Sequence, residues 1–144
     1  MPVPEEYQRI YDRLYGFLKD VRDICDIETT HRAYTTAQGV FRVFRQRIEV
    51  SQAIAFSNIL TAGIRSLFVA AWDPSLEKLP FTDRKTMTEE VRSLRKEHNF
   101  APESAIRDVA EALRRNVDNK LLDEVLKKIS PEAVEFWDPN HSGD

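Results

Sequence analysis

Residues 37–68, AQGVFRVFRQRIEVSQAIAFSNILTAGIRSLF, and residues 106–137, IRDVAEALRRNVDNKLLDEVLKKISPEAVEFW, share one apolar pattern at an ungapped offset of sixty-nine. Twelve apolar positions coincide, among them Ala37/Ile106, Val40/Val109, Phe44/Leu113, Ile48/Val117, Ile64/Ala133 and Phe68/Trp137. Scattering the 17 and 15 apolar residues of the two stretches at random would give roughly eight matches, so the recurrence exceeds composition alone. Outright identity is confined to Val40/Val109 and Arg45/Arg114. The repeat therefore preserves a packing plan and no reactive constellation.

Working outward, Tyr7, Ile10, Tyr11, Leu14, Leu18, Val21, Ile24 and Cys25 recur at three- and four-residue steps, which predicts a first amphipathic helix. Thr29 or Thr30 can cap a second, and Thr61 a fourth that runs through Ala71 and Trp72 to Asp73-Pro74. Thr86 with Glu89 forms a candidate capping box for the fifth helix, with Asp83 as an earlier start. Pro102 suits the first turn of the sixth, Asp118-Asn119 separates it from the seventh, and Ser130-Pro131 opens the eighth. Trp72 and Trp137 both precede Asp-Pro, and packing at the two ends of the core is expected for them.

The expected fold is all-α, a helical bundle of about eight helices built from two similar four-helix modules. The first module spans 5–74, a connector 75–82, the second module 83–139, and a frayed tail 140–144. Helices this short need partners in water, so the modules should pack as one compact domain. Four glycines and seven prolines are too few for the tight hairpins of an all-β fold.

The junctions carry a resemblance. Ile59-Leu-Thr-Ala-Gly-Ile-Arg-Ser-Leu-Phe68 closes the first module and Ile129-Ser-Pro-Glu-Ala-Val-Glu-Phe136 the second. Over roughly residues 10–138 the chain resembles an uncharacterised bacterial family, domain of unknown function 2267. That family's usual junction is a Leu-Pro pair followed by a leucine-arginine step; Thr61 stands for the proline here, and Val134 for the arginine. The resemblance implies an all-α bundle and lends no activity.

Charge sets limits on partners. The net charge is −3, and neither half is basic, so nucleic acid is not expected. Arg42 and Arg45, the basic-face candidates, project opposite Val40 and Phe44 and read as a solvated face. No apolar run is long enough to cross a membrane and no secretory signal is seen, which points to a cytoplasmic protein. A single cysteine, Cys25, reads as an inert core thiol.

No catalytic residue emerges, and no cofactor is expected. Glu28-x-x-His31 has the spacing of a metal-binding pair, yet di-iron bundles need that motif twice. Glu28 and His31 are thus weak metal candidates at a helix start. His98, with Phe44 earlier, loosely fits a globin's proximal ligand, but Arg95, Lys96, Glu97 and Asn99 around it favour water. Ten of fourteen aromatic residues lie at or before Trp72, including Tyr7, Tyr11 and Tyr15 in three successive turns. Tyrosine suits half-wet interfaces, so these three are the partner-interface candidates. The leading expectation is a non-enzymatic interaction or regulatory module acting through self-association or a protein partner. The alternative is a small-ligand or metal-binding protein with its site between the modules.

Overall fold

A computed structural model describes residues 5–94 and 101–141. Eight α-helices and no strand occur among them: α1 Glu5–Cys25, α2 Thr30–Arg45, α3 Val50–Asn58, α4 Ala62–Val69, α5 Arg84–Ser93, α6 Ala105–Arg114, α7 Asn119–Ile129 and α8 Pro131–Phe136. The all-α expectation holds.

Local chemistry explains most boundaries. The Thr29 hydroxyl accepts from Arg32 N at 3.1 Å, Asp118 from Lys120 N at 3.0 Å, and Ser130 from Ala133 N at 3.1 Å with Pro131 at the first position of α8. Each satisfies a backbone donor that the helix itself cannot. α5 takes the earlier of its two expected starts, and the start of α6 differs from expectation. Asp83, not Thr86, caps α5, accepting from Thr86 N at 3.0 Å and from the Thr86 hydroxyl at 2.7 Å. A carboxylate binds both donors, so the threonine becomes a ligand of the cap. Pro102 lies ahead of α6, where its carbonyl accepts from Ala105 N at 3.0 Å in a separate turn.

α2 and α6 pack on each other at the centre. α1 lies on α2, α4 and α6; α5 lies on α6 and α2; α3 meets α4 and α7; α8 meets α6 and α7. Exchanging α1–α4 for α5–α8 in order converts most of these pairings into one another; the close packing of α4 on α1 has no equal between α8 and α5. α1–α6 becomes α5–α2, for example, and α2–α4 becomes α6–α8. The arrangement is compatible with two four-helix modules.

The core is aromatic at its middle. Trp137 is fully buried, with ring centroids 5.6 Å from Phe41, 5.4 Å from Phe44, 5.6 Å from Phe56 and 5.2 Å from Phe136. It thus sits in the centre of the core and not at one end. Its indole Nε1 has no hydrogen-bond partner. An unpaired donor costs about 1–3 kcal/mol. Full burial of a large ring, with about 0.5–1.5 kcal/mol for each aromatic contact, outweighs that.

Close helix approach depends on Gly63. A Cβ there would lie 2.7 Å from Leu14 Cβ and 3.4 Å from the Ile10 carbonyl, so α4 rests directly on α1. Gly16, in the interior of α1, has nothing within 4 Å of a built Cβ. Gly63→Ala is expected to destabilise the fold by about 1–3 kcal/mol through overpacking. Gly16→Ala is expected to stabilise it by about 0.5–1 kcal/mol through the unfolded chain's lost freedom. Urea denaturation of both variants checks this, and effects of the same sign would contradict the α1–α4 contact.

Candidate functional site

The end of α2 meets the end of α4 through Arg45, which is 6% exposed. Its Nη1 donates to the carbonyls of Phe68 at 2.7 Å and Ala70 at 2.9 Å, and its Nη2 to that of Ala71 at 3.4 Å. These are carbonyls that the last turn of a helix leaves unpaired. The solvated-face reading of Arg45 is therefore corrected: the C-terminus of α4 covers the side of α2 opposite Val40 and Phe44. Burial, and then neighbouring Arg42, push the Arg45 guanidinium down to about 10.

This arginine also explains why α4 stops before Trp72. Ala70 is extended at φ −57°, ψ 130°, and Ala71 is left-handed at φ 52°. The chain turns there to offer its carbonyls, and Trp72 leaves the helix to lie with its ring 5.5 Å from the Arg45 guanidinium carbon. Arg114 does the same for α8, donating from Nε to the Trp137 carbonyl at 2.8 Å. Its fork is shared with Asn119 at 3.2 Å and Asp123 at 3.0 Å.

Beside the turn lies a cleft of about 310 Å³ bounded by Arg42, Arg45, Ile48, Trp72, Leu76 and Leu94. Glu49, Asp73 and Lys78 also line it. Glu49 pairs with Lys78 at 2.5 Å. Asp73 accepts from the Ser75 hydroxyl at 2.6 Å and from Ser75 N at 3.0 Å, and these bonds hold its carboxyl below the usual range. Arg42 is different. Its Nε is closed off from solvent without a partner, and the guanidinium makes no hydrogen bond or ion pair with the described residues.

The second surface is the outer face of α1. Tyr11 and Tyr15 are 62% and 42% exposed, and their rings stack at 6.2 Å with planes 5° apart. Lys19 Nζ lies 5.5 Å over the Tyr15 ring, and Ile10 is exposed beside them. Tyr7 belongs to α1, but its side chain lies outside the described residues.

Glu28 reaches Arg32 at 3.4 Å ahead of α2, and His31 is exposed on its first turn. No group of three His, Cys, Asp or Glu among the described residues could hold a metal ion. His98 lies outside the described residues, as do positions 142–144 of the tail. His141 Nε2 lies 3.8 Å from the Glu135 carboxylate.

Two buried polar contacts have no signal in the sequence patterns. Arg47, 6% exposed, donates to Glu90 at 2.7 Å and to the Pro80 carbonyl at 3.0 Å, tying the connector and α5 to α2. The Cys25 thiol lies against Asp108 of α6, itself 3% exposed and accepting from the Ser104 hydroxyl at 2.5 Å. Burial first, and the Asp108 charge second, push the thiol up to about 12. Because the thiolate is the reactive form, native Cys25 is expected to react with a disulfide reagent at pH 8 at least about a hundredfold slower than in urea. Equal rates would place the thiol at the surface and contradict its packing.

Among the described residues, no helix is long and apolar enough to cross a membrane. No curated protein matches the chain. The model of a family described as an uncharacterized conserved protein, DUF2267, matches residues 15–136, from within α1 to the last residue of α8. The chain, with its arginine-capped helix ends and buried Trp137, belongs to the DUF2267 family.

Proposed function

We propose that this chain is a non-enzymatic helical interaction module that works by self-association through the outer face of α1. The observation that carries the reading is the exposed, parallel-stacked pair Tyr11 and Tyr15. Stacking already fixes both rings on the surface, so covering them costs little side-chain entropy. Their hydroxyls keep the plate compatible with water until a partner arrives.

Helix electrostatics favour a second copy as that partner. An antiparallel pairing of two α1 helices about Tyr11 and Tyr15 brings the exposed rings of the two copies together. It also opposes the two helix dipoles. Such a pairing is isologous and closes as a dimer.

Internal duplication supports a module whose two halves have diverged. Most helix pairings interchange between the halves, α4 on α1 excepted, and Arg45 and Arg114 cap the ends of α4 and α8 from positions sixty-nine apart. Only the first half carries the tyrosine face. A second reading, a small-ligand site between the halves, is favoured by the cleft, where Leu94 from beyond α5 meets residues of α2 and the connector.

Sedimentation velocity tests the first reading. The double variant Tyr11→Ala/Tyr15→Ala is expected to shift a dimer to monomer, weakening association at least about tenfold, with helicity unchanged. Identical sedimentation of variant and parent would sink the tyrosine face.

A further inference from the structure

We infer that the cleft at the end of α4 binds a small organic monoanion, a carboxylate carried on a flat apolar body, with Arg42 as its counter-ion. Three cations and two carboxylates line this cleft. Lys78 and Glu49 neutralise each other, Asp73 is held by Ser75, and Arg45 is committed to backbone carbonyls. Arg42 alone is uncommitted, with one nitrogen already closed off from water and no acceptor. Buried donors are nearly always paired, so an unpaired guanidinium facing a cleft marks a missing acceptor.

The other half shows the satisfied alternative. Sixty-nine residues on from Arg42 stands Glu111, which accepts from Arg115 at 3.1 Å. Arg84 also closes off one nitrogen without a partner, but its Nη2 donates to the carbonyls of Glu135, Phe136 and Asp138. Arg84 therefore serves the end of α8. No such carbonyl reaches Arg42.

The lining selects the ligand class. Trp72, Ile48, Leu76 and Leu94 supply an aromatic and aliphatic wall, and about 310 Å³ is the lower range of small-molecule pockets. A guanidinium fork fits a carboxylate with two parallel hydrogen bonds. With Glu49 neutralised by Lys78, the rim keeps one uncompensated carboxylate, Asp73, against one free cation, so a dianionic phosphate would leave an excess of negative charge. One net charge and a flat body are what the site accommodates.

The test titrates the full chain with 2-naphthoate, its neutral counterpart 2-naphthol, and inorganic phosphate, followed by amide and indole N–H shifts. Naphthoate is expected to bind at least about tenfold more tightly than naphthol, with shifts at Arg42, Arg45 and the Trp72 indole. Arg42→Gln should remove that margin without lowering the melting temperature, since it deletes an unpaired buried donor. Trp72→Ala, which keeps the charge, should weaken naphthoate binding as well. Equal binding of naphthoate and naphthol, or unchanged naphthoate binding in either variant, would overturn the site. Displacement by equimolar phosphate would overturn the monoanion assignment, showing that charge alone is read.

Discussion

The contact on which the rest of this structure depends is that of Trp137 with Phe41, Phe44 and Phe56. The indole follows the last helix and enters the phenylalanines of α2 and α3, with centroid distances of 5.4–5.6 Å. It is thereby the residue that carries the second half into the core of the first. Short helices such as α4 and α8 do not persist alone. Their order comes from rings packed on both sides, and from the carbonyls that the arginines of α2 and α6 hold at their ends. Arg45 and Arg114 are thus the polar complement of the aromatic centre. They satisfy the helix ends that lie nearest to it.

That same polar arrangement generates the surface chemistry. By drawing the carbonyls of Phe68, Ala70 and Ala71, Arg45 ends α4 early and swings Trp72 out beside itself. The cleft is a consequence of that turn. Arg42, one helical step from Arg45, is left with like charge beside it and no acceptor. The stacked tyrosines of α1 belong to a separate region and a separate reading. The two proposals therefore rest on separate surfaces, and each can fail without the other.

Periodicity made the helices legible because burial on one face leaves an apolar stripe at three- and four-residue steps. Thr29, Asp118 and Ser130 were legible because caps are local chemistry. Trp72 and Arg45 were not, for the same reason seen from the other side. Helical projection assigns Arg45 to the face away from Val40, and nothing in the projection says that α4 ends against that face. The identity of Arg45 with Arg114, one of two in the overlay, was the available signal that the residue is structural. Trp137 followed by Asp138-Pro139 looks like an end of the chain's packing, whereas its depth depends on Phe41, Phe44 and Phe56, far away in sequence. Arg42's lack of a partner is a fact about space and leaves no trace in spacing.

One aromatic core unites both halves, so they should unfold together. Replacing Trp72 by phenylalanine leaves Trp137 as the sole tryptophan. Urea unfolding of that variant can then be followed by Trp137 fluorescence and by far-ultraviolet circular dichroism. Coincident transitions with one midpoint are expected, as for a single cooperative domain. A helical signal that is lost in two steps, with Trp137 reporting only one of them, would contradict a shared core.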